Sequence, residues 1–114
     1  MKLAISHHTD YVLVETEGAI DESASAQLRE YVHPLIGQRG TRVIVDLSGS
    51  QRISSPGLAS LVLLAADANT NGSYVVLTTP TPFVAEVLRV TKLGGFFHIV
   101  DDLPAAIAAL PQKD

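Results

Sequence analysis

Apolar and polar positions along this chain fall into two rhythms, one of strands and one of helices. Residues 2–7 and 11–17 read as short strands, the second with the alternation Tyr-Val-Leu-Val-Glu-Thr-Glu. The polar tripeptide His8-Thr9-Asp10 between them is long enough for a hairpin turn. After Gly18, Ala24, Leu28, Val32 and Leu35 recur at helical spacing, with Asp21 and Ser23 as candidate N-caps. Pro34 is expected to kink or end that helix, because proline lacks the N–H that the next turn needs. Residues 42–47, Arg-Val-Ile-Val-Asp-Leu, form a β-branched run without alternation, as in a strand covered on both faces. A helical pattern spans residues 58–68 with Leu58, Leu61, Val62, Ala65 and Ala68 as its inward stripe, stopped by Asn69-Thr70-Asn71-Gly72.

Residues 74–78 predict another buried strand. Thr81 then reads as an N-cap with Pro82 at the first helical position, followed by Val84, Val87, Leu88 and Thr91 on one face and a stop at Gly94-Gly95. Residues 96–100 predict a last strand, and Asp102 caps a final helix over residues 105–110. The order β-β-α-β-α-β-α-β-α predicts an α/β domain: a mostly parallel sheet, with one antiparallel strand from the opening hairpin. Residues 1–110 read as a single domain and residues 111–114 as a short tail.

Composition narrows the class. The chain has 114 residues, which suits one core. It has no Cys, which removes disulfides, thiolate metal sites and cysteine nucleophiles. No apolar run is long enough to span a bilayer, and the start does not read as a signal peptide, so a cytoplasmic location without membrane insertion is expected. Eight Lys and Arg against twelve Asp and Glu, scattered without a cluster, argue against nucleic acid as a partner. No motif points to a metal or a cofactor: His7 and His8 are adjacent and would face opposite sides of a strand, and glycine-rich phosphate loops are missing. A Gly-x-Ser-x-Gly elbow is also absent, so Ser55 does not read as a hydrolase nucleophile. No catalytic activity is expected.

The informative stretch is Ile53-Ser54-Ser55-Pro56-Gly57-Leu58, where a buried strand gives way to an amphipathic helix. Ser55 reads as the N-cap with Pro56 at the first helical position, its hydroxyl accepting from the Gly57 or Leu58 amide. A bare capping role would suffice for such a Ser-Pro pair. It would not explain Ala59, Leu63 and Ala66, a second apolar stripe interrupted by Ser60, Asp67 and Asn71, on the side a surface helix turns to water. That stripe fits either a docking surface or a helix sandwiched between neighbours. Asp46, at the end of its strand, reads as structural, its carboxylate taken up by loop amides.

Four segments in register carry a resemblance: Gly18-Ala19-Ile20-Asp21, Val43-Ile44-Val45-Asp46-Leu47-Ser48, Ile53-Ser54-Ser55-Pro56-Gly57-Leu58 and Lys92-Leu93-Gly94-Gly95-Phe96-Phe97-His98-Ile99. Over about residues 3–110 the chain resembles the STAS-domain anti-sigma-factor antagonists of bacteria. The resemblance implies a small mixed sheet with helices mainly on one side. It also implies a partner switch: the unphosphorylated protein binds an ATP-binding serine-kinase anti-sigma factor and frees the sigma factor, phosphorylation ends the binding, and a PP2C-type phosphatase resets it. The acceptor falls on Ser55, with Ser54 as a possible second site, standing where the family often has Asp. The partner surface falls on Asp21, Ser54, Ser55, Pro56, Gly57, Ala59, Leu63 and Ala66. Pro56 is the unusual position, and by removing one amide it predicts a less tightly held phosphoserine. STAS domains also occur as non-catalytic subunits of stressosomes and of lipid or anion transporters, where phosphorylation need not matter, and this is the alternative. Small-ligand binding has only fold analogy behind it.

Overall fold

Five strands make one sheet in the spatial order β1-β2-β3-β4-β5, the order in which the chain supplies them. The computed structural model describes residues 1–91 and 97–110. The readings that placed a helix stop at Gly94-Gly95, a strand start at Phe96 and a tail at residues 111–114 lie outside the described residues. Strand β1 (Lys2–His7) pairs antiparallel with β2 (Val12–Glu17). The remaining neighbours, β3 (Arg42–Gly49), β4 (Tyr74–Thr78) and β5 (His98–Val100), run parallel. The hairpin turn takes one residue more than the tripeptide: His8 N–H donates to Tyr11 O at 2.9 Å, and the two rings stack.

Each parallel step needs a crossover, and crossovers of one hand moving in one direction put their helices on one face of the sheet. The core follows that rule. Val14, Val43, Val45, Leu47 and Leu77 pack with Ala24 and Leu28 of α1 (Ser23–Tyr31), Ile36 of α2 (His33–Ile36), Leu61 and Leu64 of α3 (Ser55–Asn71), and Val84 and Leu88 of α4 (Pro82–Val90). The alternate residues Ile44 and Val76 point the other way, onto Ala106 of α5 (Leu103–Ala109) and Leu110. Val43, Ile44 and Val45 are fully buried, as their unbroken β-branched run requires.

Local chemistry sets the element ends, with some departures from the sequence reading. The first helix breaks into two at Val32, beside Pro34, and Ile36 takes the buried position expected of Leu35, which stays half-buried. Helix α3 runs through Asn69, Thr70 and Asn71 and stops at Gly72, whose φ of 73° lets its N–H and that of Ser73 turn back to Ala68 O. Asp102 caps α5 as expected, accepting from Ala105 N–H at 2.8 Å. Thr81 does not cap α4 with its side chain. It occupies the capping position, but its hydroxyl donates to Ser50 O at 2.7 Å, and so ties the loop after β3 to the start of α4. In the same connection Thr79 takes φ 52°, rare for a β-branched residue, with its N–H held by Val100 O at 3.1 Å.

Candidate functional site

The starts of α1, α3 and α4 all lie at the carboxyl ends of parallel strands, where open α/β sheets present their loops. Two loops are stitched together there. Ile20 and Ile53 form a parallel bridge, with Ile20 N–H donating to Arg52 O and Ser54 N–H to Ile20 O, both at 2.9 Å. This brings the Asp21 loop against the first turn of α3. Gly57 permits the approach: a Cβ there would lie 1.9 Å from Ile20 O. Only glycine fits.

The cap is Ser54, not Ser55. Ser54 is extended (φ −95°, ψ 170°), and its Oγ accepts from Gly57 N–H at 3.2 Å and donates to Ile20 O at 3.4 Å. Ser55 and Pro56 are the first two helical residues. A proline is tolerated anywhere in a first turn whose N–H groups have no intrahelical partner, so the sequence admitted either register. The bridge to Ile20 decides it. Ser55 is left exposed, and its hydroxyl has no hydrogen-bond partner among the described residues.

Asp21 folds back on its own loop. Its Oδ1 accepts from Ser23 Oγ at 2.6 Å and Ser23 N–H at 3.0 Å. Those bonds, the hydroxyl's first, hold its carboxyl below the usual carboxylate range. Neither N-cap candidate takes the cap of α1: Glu22 stands there without a side-chain bond, Asp21 braces the turn just before it through Ser23, and Ser23 is the first residue inside the helix. Asp46 lies inside β3, which runs on to Gly49, and not at its end; its Oδ1 accepts from Ser48 N–H at 2.8 Å, an amide of the same strand and not the loop amide expected.

Helix α3 is rotated from the sequence reading. Its buried side is Gly57, Ser60, Leu61, Leu64 and Ala68; Leu58, Val62 and Ala65, expected inside, are half-buried at the flank. Ser60, expected among the outward polar residues, turns in and donates to Pro56 O at 3.0 Å. The rotation widens the apolar outer face. Ser55, Leu58, Ala59, Val62, Leu63 and Ala66 line one shallow groove, with Leu63 46% exposed. Ser55 stands at its head. Asp67, farther along α3, lies 2.9 Å from His33 Nδ1 and so ties α3 to α2.

Arg52 and Phe83 carry no motif that marks them in the sequence. The Arg52 guanidinium lies 5.7 Å from the centre of the exposed Phe83 ring, at the start of α4, beside the same corner. Among the described residues no group of three or more His, Asp or Glu could hold a metal ion, and no helix is long and apolar enough to cross a membrane.

Known proteins place the architecture. The family described as Mlab, STAS domain, matches residues 3–101. BtrV of Bordetella bronchiseptica, an anti-sigma factor antagonist by name, is 26% identical over 109 residues, 96% of this chain and 94% of its own. An anti-sigma factor antagonist from Mycobacterium paratuberculosis superposes with a TM-score of 0.80 at 20% identity, covering 96% of this chain and 92% of that one. SpoIIAA, a Bacillus cell fate determinant solved in its phosphorylated form, superposes with a TM-score of 0.74 at 18% identity, over 96% of this chain and all of that one. The chain belongs to the STAS domain family described as Mlab, and the relatives it resembles over nearly its whole length are named as anti-sigma factor antagonists.

Proposed function

We propose that this chain is a cytoplasmic anti-sigma factor antagonist switched by phosphorylation of Ser55. Unmodified, it binds a serine-kinase anti-sigma factor through the α3 groove and the neighbouring Asp21 loop, and so releases the sigma factor. The kinase then transfers the γ-phosphoryl group of ATP to Ser55 Oγ: the new P–O bond forms as the bond to the β-phosphate breaks, ADP leaves, and the hydroxyl proton passes to a base on the kinase. A PP2C-type phosphatase hydrolyses the ester and restores binding.

One observation carries this reading: a free, exposed hydroxyl stands at the head of an exposed apolar groove. Ser54, by contrast, is half-buried and occupied at both ends of its hydroxyl, which favours Ser55 over Ser54 as acceptor. Phosphate adds a charge of about −1.5 to −2. The solvent-facing start of a helix tolerates it. A desolvated apolar contact does not, and burying the dianion there costs several kcal/mol.

The test is incubation with the kinase-type anti-sigma factor and ATP, with the modified residue mapped by mass spectrometry. Phosphate is expected on Ser55 in the wild type and in Ser54→Ala, and none in Ser55→Ala. An unmodified Ser55 beside a kinase active on a control substrate ends the reading. Recovery of stressosome or transporter subunits in its place would establish the non-catalytic subunit role.

A further inference from the structure

The start of α3 offers a phosphate few donors. Helix starts usually present several free amides to an anion. Here Pro56 has none, the Gly57 N–H is taken by Ser54 Oγ at 3.2 Å, and the Leu58 N–H goes to Ser54 O at 2.8 Å, which leaves the Ser55 N–H, among the described residues, as the free amide of this turn. A dianion on Ser55 would need its counter-charge from a side chain.

Arg52 is placed to provide it. It precedes Ser55 by three residues, so the two Cα atoms lie within about 11 Å of each other, inside the joint reach of an arginine and a phosphoserine. Its backbone is fixed by the Ile20 amide, while its side chain is exposed. No carboxylate pairs with it in any ion pair among the described residues. Its guanidinium rests on the Phe83 ring. An exposed contact of this kind is weaker than a forked, charge-assisted bond to a phosphate.

We propose that Arg52 is the counter-charge of phosphorylated Ser55, leaving the face of Phe83 to pair with the phosphate oxygens. This rests on Ser55 as the acceptor. Modification then alters the corner twice over: it adds an anion tied back to the domain, and it withdraws a cation from an exposed aromatic ring.

The experiment installs phosphoserine at position 55 by genetic encoding, so that no kinase is needed, in the wild type and in R52K and R52Q. The phosphate is followed by ³¹P NMR across pH, and the Phe83 ring by its aromatic resonances. The second phosphate pKa is expected to be lowest in the wild type and about half a unit higher in R52Q, the scale of an exposed ion pair. R52K, which keeps the charge, should fall between them, and the gap should close at high salt. The Phe83 resonances should move on phosphorylation in the wild type and stay put in R52Q. Superimposable titrations of all three overturn the proposal. Failure of a kinase to modify Ser55 would remove the proposed switch and leave this pairing to be judged by the titration alone.

Discussion

Two adjacent serines at one helix start are placed differently: Ser54 is tied into the fold and Ser55 faces solvent. Ser54 contributes its hydroxyl to the Gly57 amide and to Ile20 O, so Ser54→Ala removes the cap and is expected to cost about 1 kcal/mol of unfolding free energy. Ser55→Ala removes a hydroxyl without a partner among the described residues, and its effect should stay within about 0.5 kcal/mol. Urea unfolding of both variants checks the pair, and equal losses would mean the cap is shared. The importance of this corner was legible in the sequence, but the roles within it were not. Both serines are good caps, and the first turn admits proline at either position. The choice is made by a bridge between Ile20 and Ile53, more than thirty positions apart along the chain, which no local pattern encodes.

Helix α3 shows the same limit at the scale of an element. Its position and its outer apolar stripe could be read from the chain, but its rotation could not, because Leu58, Leu61, Val62, Leu63, Leu64, Ala65 and Ala66 leave almost no polar face to fix the phase. Gly57 was the usable signal. A residue without a side chain marks the point of closest backbone approach, and counting three, four and seven onward from it gives Ser60, Leu61 and Leu64, the buried face. The strands were easier, because unbroken Val and Ile runs such as residues 43–45 have few other uses. The rotation separates two neighbouring leucines. Leu64→Ala, at a fully buried site, is expected to cost about 2–5 kcal/mol. Leu63→Glu should leave the unfolding midpoint within a few degrees and abolish capture of the anti-sigma factor in a pull-down. If Leu63→Glu unfolds the domain, the groove is core and no partner docks there.

Across the whole molecule, the sheet order explains how a charge can change binding without changing the fold. Helices α1 to α4 share one face, so the loops that start α1, α3 and α4 gather at one edge, while the buried hydrophobic layer lies below them along the strands. A group added to Ser55 enters that edge from the solvent side and touches neither core. Ser55→Asp is therefore expected to keep the stability of the wild type, with a gain of up to about 1 kcal/mol from a carboxylate at a helix start. The same carboxylate, carried against Leu58, Ala59 and Leu63 in a complex, loses its water among residues that carry no charge of their own. Affinity for the anti-sigma factor, measured by calorimetry, should fall by about 100-fold or more, equivalent to about 3 kcal/mol. The two measurements must diverge. Loss of both stability and affinity would show the site to be part of the core, and loss of neither would show that charge at position 55 does not reach the partner.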